Sequence, residues 1–142
     1  MTQVLSIRLQ DDQVMRLKNF ARRSGKSQSE TAAQYIEEGM RENEYANIEF
    51  RDSTIGRLAY MRDSNLAVWE VILIAKDHSM NTERLSTYFR RPNSWVNSAI
   101  YYYEAYSTEI DQLIADCQAM TFDKLKRLLP GLEPTHNSTN TR

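Results

Sequence analysis

Several kinds of residue that mark enzymes and secreted proteins are scarce in this chain of 142 residues. One cysteine excludes an internal disulfide, and the two histidines, His78 and His136, lie far apart in sequence. No cluster therefore has the spacing of metal ligands, and four glycines leave no Gly-rich loop to cradle a phosphate. We expect no enzymatic activity, no metal and no cofactor.

Long apolar runs and an excess of basic charge are also missing. No stretch approaches the length of a membrane span or of a signal-peptide core, and with the lone Cys117 this predicts a protein of the reducing cytoplasm. The formal net charge is -1, and 41% of the residues are hydrophobic. The chain can form one modest domain or two small ones. If it binds nucleic acid, its basic residues must be concentrated in one region.

The chain does contain an alternating stretch near its amino end, residues 4–9. An extended strand there places two sets of side chains on opposite sides, Leu5, Ile7 and Leu9 on one and Val4, Ser6 and Arg8 on the other. The following segment is typical of helix, so we expect the partner strand to come from a second copy of the chain. The pattern predicts a homodimer with a core of Leu5, Ile7, Leu9 and Ile36.

Two helices are predicted after this strand. Asp11 and Asp12 are suited to cap a helix over residues 12–23, and Gly25 is suited to end it. The sequence from Ser27 to Glu30 has the form of a capping box and predicts a second helix to about Glu42.

Strand, helix, Gly-containing turn and helix in this order resemble the ribbon-helix-helix DNA-binding family of the Arc and CopG repressor type, over about residues 3–43. The resemblance implies an antiparallel ribbon of two chains in the major groove, with Val4, Ser6 and Arg8 facing base edges. Phosphate contacts are expected at the start of the second helix, where free amides and the helix dipole favour an anion beside Lys26, Ser27 and Ser29.

Basic and acidic residues are unequally distributed between residues 1–26 and residues 27–47. Residues 1–26 carry Arg8, Arg16, Lys18, Arg22, Arg23 and Lys26 against Asp11 and Asp12. Residues 27–47 carry Arg41 alone against Glu30, Glu37, Glu38, Glu42 and Glu44. One face can therefore approach a phosphate backbone while the other stays away from it.

The rest of the chain predicts a second domain. Residues 44–47 are expected to be a linker, residues 48–50 and 56–61 to form a β-hairpin, and the remainder of 48–133 to be helical. The tail, residues 134–142, has nothing to bury and is expected to be disordered. The predicted fold is mainly α: an N-terminal ribbon-helix-helix domain, residues 1–43, followed by a small winged-helix-like domain with a short hairpin.

This second domain resembles a small helical, winged-helix-like family of bacterial antitoxin domains, often encoded beside ribonuclease toxins. The resemblance is carried by Gly56-Arg57, residues 65–70 and residues 98–104. It implies binding of a toxin protein, and by that likeness a PIN-like ribonuclease.

The side chains favour protein over DNA as the partner of this domain. The helix predicted at residues 94–106 has no Lys or Arg, which a phosphate backbone requires. Surface tyrosines are favoured anchors at protein interfaces. The expected toxin interface consists of Tyr101, Tyr103, Lys124, Lys126 and Arg127.

The sequence thus predicts an antitoxin of a type II toxin-antitoxin pair, which binds operator DNA as a dimer, represses its own operon and neutralises a toxin. One alternative is a repressor that senses a small ligand in a pocket lined by Trp69, Trp95 and tyrosines. A third is a structural or partitioning protein that coats DNA as cooperating dimers.

Overall fold

The computed structural model describes residues 1–128 and divides into two compact units, residues 1–46 and a second unit that begins at Asn47. The expected tail at 134–142, and residues 129–133 of the predicted second domain, lie outside the described residues. The described part contains six helices and one two-stranded antiparallel hairpin. None of the helices in residues 1–128 combines the length and apolarity needed to cross a lipid bilayer.

The N-terminal unit consists of two helices joined by a tight turn, α1 (Asp11–Ser24) and α2 (Gln28–Glu44). α1 begins one residue earlier than expected. Gln10 is its N-cap, and the Gln10 backbone N–H donates to Gln13 Oε1 at 2.9 Å. Gly25 ends the helix as predicted, in the left-handed region at φ 66°.

The start of α2 has the predicted capping box. The Glu30 backbone N–H donates to Ser27 Oγ at 3.1 Å, and the Ser27 N–H donates to Glu30 Oε2 at 3.2 Å. Two N–H groups that the helix itself cannot satisfy are therefore bonded locally.

The ribbon-helix-helix fold expected for the N-terminal region is wrong. α1 and α2 are the first regular elements, and residues 1–10 form no strand. A strand is stabilised by hydrogen bonds to a neighbouring strand. The rest of this unit is almost entirely helical, so it offers residues 4–9 no ladder to join.

The second unit opens with the predicted hairpin, which is longer in its first strand than expected. β1 (Ile48–Ser53) pairs with β2 (Gly56–Met61) in a register that runs from Ile48 opposite Met61 to Ser53 opposite Gly56. The turn requires Gly56, whose φ is 113°. Ser53 Oγ closes it, donating to the Gly56 carbonyl at 2.7 Å and accepting from the Ile55 N–H at 3.2 Å.

Four helices follow the hairpin, α3 (Val68–Asp77), α4 (Thr82–Phe89), α5 (Asn93–Ala105) and α6 (Ser107–Leu128). α3 is central, because it packs against α5, α6 and β2, while α4 packs against α5. Several side chains of this unit are wholly inaccessible to solvent: Ile48, Met61, Val68, Val71, Ile72, Leu85, Val96 and Tyr102. The second unit therefore has a complete apolar core.

The N-terminal unit differs in this respect. Ala21 is its one buried apolar residue within the described chain, beside the buried Thr31 and Glu38. A unit of about this size is marginal even with a good core. Its apolar side chains are instead exposed, and they define the first candidate site.

Candidate interaction sites

The N-terminal unit carries an apolar groove of about 840 Å³. Residues of the amino-terminal segment, α1 and α2 line it, among them Leu5, Ile7, Leu9, Leu17, Phe20 and Ile36. We call this the apolar groove. The ring centroids of Phe20 and Tyr35 are 5.7 Å apart, so the two helices contact each other along it.

The predicted dimer-core residues are all on this groove, and all are exposed in a single copy. The exposed fractions are 78% for Leu5, 58% for Ile7, 44% for Leu9 and 44% for Ile36. Isolated apolar residues on a surface are ordinary, whereas a contiguous set marks an interaction site. The groove is therefore the candidate interface of this unit.

The predicted base-reading residues are Val4, Ser6 and Arg8, and the strand expected to present them is absent from residues 1–10. All three are exposed, but Val4 also lines the apolar groove. The expected division of residues 4–9 into a dimer-core set and a base-facing set depended on that strand, and Val4 instead lines the groove together with the dimer-core set. A segment without ladder hydrogen bonds does not fix its side chains in the alternating arrangement that base reading through a ribbon requires.

The predicted phosphate site is only partly open. Ser27 is engaged in the capping box, and Lys26 Nζ donates to Gln34 Oε1 at 2.8 Å. The carboxylate of Glu30 lies at the helix start, where an anion was expected. The Ser29 backbone N–H precedes the first intrahelical donor of α2, the Thr31 N–H that bonds to the Ser27 carbonyl, so the Ser29 N–H remains available for an external acceptor.

The basic residues of α1 and of the segment before it are mostly solvated. Arg16 pairs with Asp12 at 3.6 Å, with both side chains more than 60% exposed, as an i, i+4 pair of little energetic value. Within residues 1–128, Arg8, Lys18 and Arg23 have no hydrogen-bonding or ionic partner. These three cations can meet an external polyanion without first breaking an internal contact.

The second unit has a different kind of site, an open pocket of about 510 Å³. Three parts of the unit line it: strand β1, the turn that follows β2, and the connection from α4 to α5 with its flanking residues. The lining includes Arg51, Asp63, Ser64, Phe89, Arg91 and Trp95. We call this the arginine pocket. Two guanidinium groups and two aromatic rings thus border one cavity.

Both arginines are held by several contacts. Arg51 donates from Nε and Nη2 to Glu49 Oε2 at 3.1 and 2.8 Å and from Nη1 to the Ser64 carbonyl at 2.7 Å. Its guanidinium also lies 5.1 Å from the centroid of the Tyr60 ring. The hydrogen bond from Arg51 lowers the pKa of the Glu49 carboxyl below its usual value.

Arg91 is fixed by the turn that carries it. Its backbone N–H donates to the Ser86 carbonyl at 3.1 Å, and the Ser86 hydroxyl donates to the Arg91 carbonyl. Its Nη2 donates to the Asp63 carbonyl at 2.9 Å, and its guanidinium lies 5.3 Å from the centroid of the Trp95 ring. Arg90, immediately before it, is exposed and adopts the left-handed conformation at φ 56°.

Trp95 is 5% exposed, and its indole N–H has no hydrogen-bond acceptor within the described part of the chain. A buried donor without an acceptor costs about 1–3 kcal/mol. Such groups are rare in folded proteins and call for a specific explanation.

The predicted toxin-interface residues are distributed over α5 and the last turns of α6. Tyr101 is 58% exposed on α5, whereas the Tyr103 hydroxyl donates to Asp111 Oδ1 at 2.8 Å, and Asp111 is paired with Lys76 at 2.7 Å. Lys124, Lys126 and Arg127 are exposed in the last turns of α6. At about 1.5 Å per residue, they lie roughly 20 Å along that helix from the Asp111 contact of Tyr103.

No sequence pattern indicates Arg51 as a site residue, and Arg91 is not among the residues predicted above to form a site. One signal was present: Arg91 precedes the aromatic Trp95 by one helical turn. The cavity found here also differs from the ligand pocket of the alternative hypothesis, because it is lined by Trp95 but not by Trp69 or a tyrosine. Among residues 1–128, no group of three or more His, Cys, Asp or Glu side chains is placed to hold a metal ion.

Comparison with known proteins adds no family. No protein-family model matches the chain, and neither a curated protein nor a solved structure is significantly similar to it. The function must therefore be inferred from the two sites themselves.

Proposed function

We propose that this protein is a DNA-binding antitoxin: its N-terminal unit pairs with a second copy and binds operator DNA, and its second unit binds and neutralises a toxin protein. The observation that carries the proposal is the contrast between the two units. One has a complete core, whereas the other exposes the apolar side chains from which a core would be built.

A second copy of the chain is the partner that best fits the apolar groove. The unit supplies both halves of a self-complementary contact, an exposed apolar segment at residues 4–9 and a groove between α1 and α2. Two-fold interfaces use the same patch on both subunits. Small domains that lack a core of their own commonly fold only as dimers.

The charge distribution supports DNA as the ligand of this dimer. Arg8, Lys18 and Arg23 are exposed and, within residues 1–128, without internal partners, and the acidic residues of the unit are concentrated on α2. Pairing two copies doubles the number of these cations. Phosphate contacts then supply sequence-independent affinity, which is steeply dependent on salt.

The second unit supports protein binding by its exposed aromatic and basic groups. Tyr101 on α5 and the cations Lys124, Lys126 and Arg127 on α6 are open to solvent. Tyrosine and arginine are enriched at the energetically important positions of interfaces. The identification of the toxin as a PIN-like ribonuclease rests on the family resemblance of residues 48–112, and the proposed compartment is the cytoplasm.

DNA binding is tested with the purified full-length protein and a duplex from the region upstream of its own reading frame. Replacing both Lys18 and Arg23 by Gln removes the cations that contact two phosphates per copy. The slope of the logarithm of the binding constant against the logarithm of the salt concentration should therefore become shallower by about one unit for each lost phosphate contact. Lys124→Gln on the second unit is the matched control and should leave the slope unchanged. Equal salt slopes for all three proteins would contradict the proposed DNA surface.

Toxin neutralisation is tested by co-expression with the product of the adjacent reading frame. The full chain should restore growth in cells that express a toxic neighbour and should co-purify with it in a stable complex. Tyr101→Ala should weaken the complex, whereas Met15→Ala on the N-terminal unit should not. A neighbour that is harmless, or growth that the full chain does not restore, would remove the antitoxin assignment.

A further inference from the structure

We propose that the arginine pocket of the second unit is a binding site for a carboxylate carried on an apolar or aromatic group. This site is separate from the DNA and toxin surfaces of the proposed function, and its test does not depend on them. The proposal follows from three properties of the pocket: its donors, its aromatic surfaces and its balance of charge.

The guanidinium groups of Arg51 and Arg91 have more N–H donors than internal acceptors. A guanidinium has five N–H groups. Arg51 directs three hydrogen bonds to Glu49 and Ser64, and Arg91 directs one to the Asp63 carbonyl. Each guanidinium therefore retains N–H groups for a ligand, and the contacts just described hold both side chains in place before it arrives. A planar carboxylate is well matched to such a fork.

The aromatic surfaces indicate what the carboxylate is attached to. Trp95 and Phe89 line the pocket with ring centroids 5.4 Å apart, and the guanidinium of Arg91 lies over the Trp95 ring. The indole N–H of Trp95 is itself buried and lacks an acceptor within residues 1–128, so its resonance reports on the lining of the cavity. An apolar group bearing a carboxylate fits these surfaces better than a compact inorganic anion, which has nothing to place against the rings.

The charge balance gives a directional test. Asp63 is the acidic residue among the lining side chains, and Arg51 is already paired with Glu49 outside the lining. Arg91 has no carboxylate partner within residues 1–128, so it is the cation that an incoming carboxylate would meet. Asp63 adopts the left-handed conformation at φ 58°, which asparagine also tolerates. Replacing Asp63 by Asn therefore removes the negative charge from the lining without straining the backbone and keeps the backbone carbonyl that binds Arg91, and it should tighten the binding of an anion.

The experiment uses the full-length protein and the indole N–H resonances of its two tryptophans, Trp69 and Trp95. A Trp69→Phe variant identifies which resonance belongs to Trp95. Benzoate is the probe, benzamide its neutral counterpart and inorganic phosphate the anion without an apolar group. Benzoate should shift the Trp95 resonance saturably and leave that of Trp69 in place, and the other two probes should have little effect.

Variants at neighbouring arginines supply the specificity control. Arg91→Gln should weaken benzoate binding at least tenfold, whereas Arg90→Gln at the adjacent exposed position should leave it unchanged. Asp63→Asn should strengthen binding several-fold, and this arm remains informative even if Arg91→Gln fails to fold. An unresponsive Trp95 resonance, an equal response to phosphate or benzamide, or weaker binding by Asp63→Asn would overturn the proposal.

A last experiment distinguishes two possible ligands that carry a carboxylate beside an aromatic group. One is a free small acid, and the other is a protein segment in which an acidic residue follows an aromatic one. Acetyl-Phe-Asp-amide binding at least tenfold more tightly than benzoate would assign the pocket to a protein segment. Binding no tighter than that of benzoate would assign it to a small carboxylic acid.

Discussion

Truncating Ile36 to alanine should weaken self-association of this protein. Ile36 lies on α2 in the apolar groove and is 44% exposed in a single copy. Full burial of an isoleucine side chain is worth about 1.5–3 kcal/mol, so covering the exposed part is worth about 1 kcal/mol. A two-fold dimer covers this side chain twice, which gives up to about 2 kcal/mol per dimer.

At 1.4 kcal/mol for each factor of ten, a loss of about 1–2 kcal/mol per dimer should raise the dissociation constant about 5- to 30-fold. The change does not harm the helix, because alanine has the higher helix propensity. Any loss of association therefore reports on the groove itself. The measurement is sedimentation equilibrium across a dilution series from high to low micromolar protein.

Met15→Ala is the matched control. Met15 is 66% exposed on α1 but does not line the apolar groove, so its truncation should leave the dissociation constant within about twofold. Two results would refute the reasoning: a wild-type mass equal to one chain at every concentration, or equal weakening by Ile36→Ala and Met15→Ala.

Three further predictions concern single contacts. Ser27→Ala removes the capping hydrogen bond of α2 and should destabilise the N-terminal unit by about 1 kcal/mol in urea unfolding, whereas Ser29→Ala should have little effect. The hydrogen bond from Lys76 lowers the pKa of Asp111, so the stability that this carboxylate adds is present above the unfolded-state pKa of about 3.9 and is lost as the pH falls through the folded-state pKa. The stability difference between wild type and Asp111→Asn should accordingly shrink below about pH 4, and a constant difference across the acid range would contradict the assignment. Burial raises the pKa of the Cys117 thiol, so iodoacetamide should alkylate it more slowly at pH 7.5 than it alkylates the thiol of the urea-unfolded chain.

The features predicted correctly from the sequence are those that depend on near neighbours. The capping box needs only Ser27 and Glu30, three residues apart, and the end of α1 needs only Gly25. The hairpin of residues 48–61 pairs segments that a short turn joins directly. In each case the stabilising hydrogen bonds join residues of one short stretch of chain, the longest being the stretch from Ile48 to Met61, so the local sequence contains both partners.

The features that were wrong or missed depend on distant groups. The alternation in residues 4–9 has the period of a strand, but a strand also needs a neighbouring strand, and none is available within the N-terminal unit. The arginine pocket combines Arg51 of β1 with Arg91 and Trp95, some forty residues further along. Only the packing of α4 and α5 against the rest of the unit reveals that these side chains share a cavity.

The unequal cores of the two units have a consequence for how the protein responds to its own concentration. The second unit buries its core within one chain, so its stability is independent of concentration. The N-terminal unit exposes its apolar groove. If a second copy covers the groove, as proposed, the stability of this unit follows mass action and rises with protein concentration. Association of two chains scales with the square of their concentration, and DNA binding that requires the paired form must do the same at low occupancy. If the protein represses its own synthesis, as proposed, its promoter is open when the protein is scarce and closes steeply once the protein accumulates. The second unit does not need the pairing to form its core, so binding of the proposed toxin would not depend on it.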